Sequence, residues 1–109
     1  MLHETRLGKT MHGVWKAESN VMLDDTLCFT LTTMKRASGS VVTSASVAKR
    51  EGNFYTHRMY EDYSRQLDSH KYPRVTAKVV ENQHIFALSG IDEYINEARA
   101  KYGIELIYA

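Results

Sequence analysis

Disulfide stabilisation is excluded at the outset, because the chain holds a single cysteine, Cys28. A secreted domain of this size usually needs such staples, so a reducing, cytoplasmic setting is expected. Proline is almost absent too: Pro73 is the only one, and no Pro/Gly-rich or low-complexity stretch divides the chain. One domain over residues 1–109 is expected. The N-terminus, "MLHETRLGKTMHG", lacks the apolar core of a signal peptide, and no run approaches the ~20 apolar residues of a membrane span. A charge excess is missing as well: 14 Lys/Arg face 13 Asp/Glu, for a formal net charge of +1. No global field favours duplex nucleic acid or a membrane, and any anion site must come from local clustering. The six glycines form neither GxGxxG nor GxxxxGK[ST], and "KTMHG" from Lys9 is no phosphate loop.

What remains is ordinary globular material, 43% hydrophobic and 25% charged. "GVWKA" suggests a short strand, while residues 1–12 show no period. In "DTLCFTLTTMK" Leu27, Phe29 and Leu31 alternate with Cys28, Thr30 and Thr32, the period of a strand. "ASGS" supplies turn chemistry at Gly39, so "SVVTSASVAK" should return antiparallel, with Val41, Thr43, Ala45 and Val47 on one face. A second turn, "KREGN", leads into "FYTHRMY", a candidate third strand. Cys28 lies in an apolar run, which points to a buried, inert thiol.

Towards the C-terminus, "IDEYINEARAKYG" places Ile91, Tyr94, Ile95, Ala98 and Tyr102 on one helical face. Acids stand at its start, bases at its end, and Gly103 suits a left-handed stop. The tail "IELIY" alternates as a final strand. The stretch 73–88 reads as a helix with Pro73 in its first turn and Val75, Val79 and Phe86 inward; "VTAKVV" followed by "IFAL" also fits a hairpin. The expected fold is α+β: a small, mainly antiparallel sheet covered on one face by two C-terminal helices. So small a sheet leaves edges and a second face to protect, and a homo-oligomer is expected.

No motif names a reaction. The histidines show no HxH or HExxH spacing, no GxSxG elbow exists, and no metal or cofactor is implied. The conspicuous stretch is Phe54–Lys78, dense in tyrosine and Lys/Arg. Arg58, Arg65, Arg74 and Lys78 could hold phosphate, and Tyr60 or Tyr63 could stack on a base. In the helical reading Arg74 and Lys78 share one face at the helix start, where the dipole also favours an anion. The plainer reading pairs this cluster with Glu61, Asp62 and Asp68 on the surface and half-buries the tyrosines.

Over "THRMYEDYSRQLDSHKYPRVTAKVVENQH" the chain resembles parts of small accessory proteins encoded by bacteriophages. Such proteins are often non-enzymatic and block a host protein or, in counter-defence families, sequester a nucleotide signal. The expectation is therefore a non-enzymatic protein that sequesters a small phosphate-bearing ligand, a nucleotide foremost. The alternative is a stoichiometric inhibitor or adaptor of a host protein, with the same tyrosines and arginines as interface anchors.

Overall fold

The computed structural model describes residues 4–51, 54–56 and 63–104. Among these residues six antiparallel strands form one sheet: β1 (Glu4–Lys9), β2 (Trp15–Met22), β3 (Leu27–Lys35), β4 (Val41–Glu51), β5 (Phe54–Thr56) and β6 (Ser64–His70). Their order is β1-β2-β3-β4, and the free edge of β4 is shared by β5 at one end and β6 at the other. Two helices follow, α1 (Ala77–Leu88) and α2 (Ile91–Lys101), and both lie on one face of the sheet. The fold is α+β, as the alternating and helical patterns imply.

The β3–β4 hairpin is the centre of the sheet. Its turn closes through Arg36 N–H to Ser40 O at 2.8 Å and Gly39 N–H to Arg36 O at 2.9 Å. Gly39 sits at φ 92°, a left-handed conformation that an L side chain resists. Register then does the sorting: Phe29 faces Val47, Leu31 faces Ala45 and Thr33 faces Thr43, all on the helix side. Each of these is at most 1% exposed. Burying a side chain such as Phe29 or Leu31 contributes about 1.5–3 kcal/mol, and this row, with Val21, Tyr63, Ile91, Ile95 and Ala98, makes the main core. Cys28 points to the opposite face and is 4% exposed, and burial pushes its thiol pKa up.

Two strands have no counterpart in the sequence patterns. The first, β1, is an edge strand exposed along its whole length, so no apolar alternation marks it. The other, β6, carries one apolar side chain, Leu67, at a register shift opposite Thr43/Ser44; the extra residue turns Leu67 into the core and breaks the period. The short strand expected at "GVWKA" is longer and runs to Met22. Of "FYTHRMY", Phe54–Thr56 pairs with β4; the remainder lies outside the described residues, as do Gly52, Asn53 and the tail after Ile104.

The stretch 73–88 is helical but starts later than Pro73. Thr76 is the N-cap, its hydroxyl accepting from Val79 N–H at 3.3 Å, and the helix begins at Ala77. Pro73 and Arg74 therefore belong to the connection, and Arg74 is not in the first turn. The inner face is also different from the expected one. Val80, Gln83 and His84 point inward, while Phe86 is 75% exposed and Ile85 55% exposed. The second helix matches its pattern: Ile91, Ile95 and Ala98 are buried, and Gly103 (φ 69°) ends the helix, with Ile104 N–H closing on Arg99 O at 2.8 Å.

Candidate functional site

The sheet register assembles a rim that no single stretch of sequence displays. Lys9 is opposite Trp15, Lys16 opposite Met34, Lys35 opposite Val41, and Val41 opposite His70. Lys9, Trp15, Lys35, Val41 and His70 thus fall on one cross-strand row at the same end of the sheet. The β6–α1 connection adds Lys71 and Arg74 to this end, and the first turn of α1 adds Lys78. Lys9, Lys35, Arg36, Lys71, Arg74 and Lys78 are all exposed.

Among the described residues acidic neighbours are few and already engaged. Asp68 accepts from His70 Nε2 at 2.6 Å, Glu81 stands 3.7 Å from Lys78, and Glu18 stands 3.8 Å from Lys16. Among the described residues no ion pair engages Lys9, Lys35, Lys71 or Arg74. At the opposite end the charges are matched instead, with Arg65 against Glu97 and Asp24 against Arg99.

Half-exposed rings punctuate the rim. Lys9 Nζ lies 5.0 Å from the centre of the Trp15 ring, and His70 and Tyr72 lie 6.1 Å apart, tilted by 58°. Trp15, Tyr72 and Val75 pack on the small cluster of Ala17, Val41 and Val80, which fixes the β6–α1 connection against the sheet. Beside Lys9, along the outside of the β1–β2 hairpin, runs a groove of about 410 Å³ walled by Arg6, Lys9, Met11, Lys16 and Glu18. Its volume lies in the range of small-ligand sites.

Of the six residues singled out by sequence, the four that are described do not converge. Arg74 and Lys78 lie on the basic rim. Arg65 sits at the other end of β6, five residues and so ~17 Å along the strand from His70; it pairs with Glu97 and lies 5.3 Å over the Tyr94 ring. Tyr63, expected to stack on a ligand, is 4% exposed: its ring packs 6.2 Å from Phe29 and its hydroxyl donates to Tyr94 O at 3.2 Å. Burial pushes its pKa up to about 12. It is a core residue: just ahead of β6, it packs into the main cluster beside Phe29, while Ser64, Arg65 and Gln66 after it are exposed. Arg58 and Tyr60 lie outside the described residues. Lys71, a phosphate candidate from the same Lys/Arg-dense stretch, lies with Arg74 on the rim; Lys9 and Lys35 were not singled out, since their sequence signal was only their position at strand ends.

A second polar assembly lies in the interior. His84, 1% exposed, bonds Ser19 Oγ through Nε2 at 2.7 Å and Thr33 Oγ1 through Nδ1 at 2.8 Å. Thr33 bonds Thr43 at 2.7 Å, and Ser19 bonds Thr5 at 2.7 Å. Gln83 Nε2 donates to Val41 O at 3.0 Å and Thr43 Oγ1 at 3.1 Å, while Tyr72 OH donates to Gln83 Oε1 at 2.7 Å. The Val41 carbonyl can only accept, which fixes the Gln83 amide as donor. Only one direction then gives every proton in the chain a partner: Gln83 to Thr43, Thr43 to Thr33, Thr33 to His84 Nδ1, His84 Nε2–H to Ser19, Ser19 to Thr5.

The Ser19–His84 contact has the spacing of a nucleophile and its base, but its chemistry is different. Nε2 donates to Ser19 rather than accepting from it, a threonine replaces the orienting carboxylate, and both residues are sealed from solvent. The assembly locks α1 to the sheet. Among the described residues no group of three His, Cys, Asp or Glu side chains gathers as metal ligands, and no helix is long and apolar enough to cross a membrane. Comparison with family models, curated proteins and solved structures finds no match to this chain.

Proposed function

We propose that this chain is a non-enzymatic binding protein for a phosphate-bearing ligand, with the basic rim as its site. The observation that carries this reading is the rim itself. In a chain of net charge +1, exposed cations from separate stretches collect at one end, and among the described residues Lys9, Lys35, Lys71 and Arg74 have no carboxylate partner. Concentrated, unneutralised Lys/Arg raises the local potential and draws phosphate, and half-exposed rings beside it offer stacking surfaces. The groove along the β1–β2 hairpin gives a nucleotide room beside Lys9. In the setting that the resemblance to phage accessory proteins implies, the protein acts stoichiometrically, by withdrawing a nucleotide signal from solution.

Native mass spectrometry with linear and cyclic nucleotides and inorganic phosphate tests this. A discrete nucleotide mass, lost in Lys71→Glu/Arg74→Glu, is the expected result; unliganded spectra across the panel would overturn it. A second reading, a protein-binding inhibitor or adaptor, is favoured by Ile85 and Phe86, exposed side by side on α1. Retention of a protein partner by the charge-reversed variant, with its loss in Phe86→Ser, would select that reading.

A further inference from the structure

We infer that the rim is built for an extended, single-stranded nucleic acid rather than for one nucleotide; the inference rests on the phosphate-binding reading of the same site. The span of the rim exceeds that of a mononucleotide. Lys9, on β1, and His70, on β6, end the same row, and the order β1-β2-β3-β4-β6 places four strand spacings between them. At ~4.8 Å per spacing the row is ~19 Å long. Lys35 stands near its middle, on β3, and Lys71 and Arg74 follow His70 in the connection that turns back to pack on Ala17, Val41 and Val80. The phosphates of one mononucleotide lie within a few ångströms of each other and reach one of these cations, or two adjacent ones. A strand at ~3.4 Å per stacked nucleotide places roughly five or six phosphates along the same row.

Ring placement points the same way. Trp15 lies between Lys9 and Lys35 in the row, and His70 and Tyr72 flank Lys71. Alternating cations and half-exposed rings suit a strand whose bases are unpaired and free to stack. Duplex DNA would hide those base faces and offer only its phosphates. Only Val41 in the row is covered, by Val80 with Tyr72 and Val75 packed against it; Lys9, Lys35 and His70 stay exposed and Trp15 half-exposed, so among the described residues nothing encloses the rim into a pocket. An enclosed pocket would limit length; an open row does not.

The test is fluorescence anisotropy with labelled oligo-dT of two, four, six, eight and twelve nucleotides, a labelled twelve-base-pair duplex, and unlabelled dTMP and ATP as competitors. Affinity is expected to climb with length up to about six nucleotides and then flatten. With Lys9, Lys35, Lys71 and Arg74 as the phosphate contacts, the logarithm of the binding constant should fall with the logarithm of salt concentration with a slope of about −2.8, roughly a 50-fold weakening from 50 to 200 mM salt. Arg74→Ala should make that slope shallower by about 0.7, whereas a variant at Arg65, paired at the far end, should leave it unchanged. Competition by dTMP or ATP as strong as that of the twelve-mer would overturn the inference and leave the phosphate-binding reading standing. Tighter binding of the duplex would also overturn it. Failure of every oligonucleotide and every nucleotide to bind would overturn both.

Discussion

Replacing His84 with leucine keeps much of the side-chain volume at the α1–sheet contact and deletes its hydrogen bonds to Ser19 and Thr33. The consequences follow from the direction of the chain of donors. Thr33 then has a proton and no acceptor; if it turns to Thr43 instead, the Thr43 proton is orphaned, because Thr43 already accepts from Gln83. Ser19 loses a donor but keeps Thr5. Two hydrogen bonds at about 1 kcal/mol each, together with one buried hydroxyl left without a partner, give a loss of about 3 kcal/mol. At about 4–8 °C per kcal/mol for a domain of this size, the melting temperature should drop by roughly 12–24 °C. Urea unfolding followed by Trp15 fluorescence reads the free energy directly. Ser19→Ala, which orphans Nε2–H, should cost about 2 kcal/mol, and the double variant should cost 1–2 kcal/mol less than the sum, since the two share one bond. A loss below about 1 kcal/mol for His84→Leu at unchanged m-value, or strict additivity with Ser19→Ala, would refute the assignment of this chain as a stabilising unit.

The same structure sets four further outcomes. Long-range ¹H–¹⁵N correlation of the His84 ring should show a protonated Nε2 and a bare Nδ1; the reverse tautomer would break the proposed direction. Gly39→Ala should cost about 1–2 kcal/mol although its Cβ meets open space, because the left-handed φ is strained for alanine. Above pH 10 the unfolded chain gives up the Tyr63 proton before the folded one does, so stability should fall from pH 10 towards about 12, and Tyr63→Phe should flatten that fall. An unchanged slope in Tyr63→Phe would count against its burial. Lys71→Glu/Arg74→Glu should shift unfolding by no more than about 0.5 kcal/mol while abolishing ligand binding, since both side chains are exposed.

The parts of the fold that were legible are those with a burial period. In β3 and β4 every second side chain goes under the helices, and α2 repeats its apolar residues at three and four. The strand β1 left no mark because both of its faces are wet, and β6 left none because its one core residue sits at a bulge. For α1 the period was present but written in the wrong alphabet: Gln83 and His84 hold the inner positions that apolar residues usually hold, and Phe86 stands outside. A hydrophobic reading turned the helix by most of a half-turn. Of the candidate site, Arg74 and Lys78 were within reach because they are local in sequence. Lys9 and Lys35 were not, since only strand register brings them beside Lys71, and Tyr63 was misjudged because its burial depends on the β3–β4 row beneath it.

The polar inner face of α1 has a bearing on how the helix finds its seat. Greasy surfaces are forgiving, and a helix resting on Val80 and Ala87 alone could roll or slide by a residue at little cost. A run of donors and acceptors that must all match is a keyed fit: any displacement leaves several groups facing the wrong partner at once. The key also reaches outward, because Tyr72 plugs into Gln83 from the connection that carries Lys71 and Arg74. The spacing of those two cations relative to Lys9 and Lys35 is therefore set from inside the molecule, by hydroxyls and an amide that no ligand ever touches.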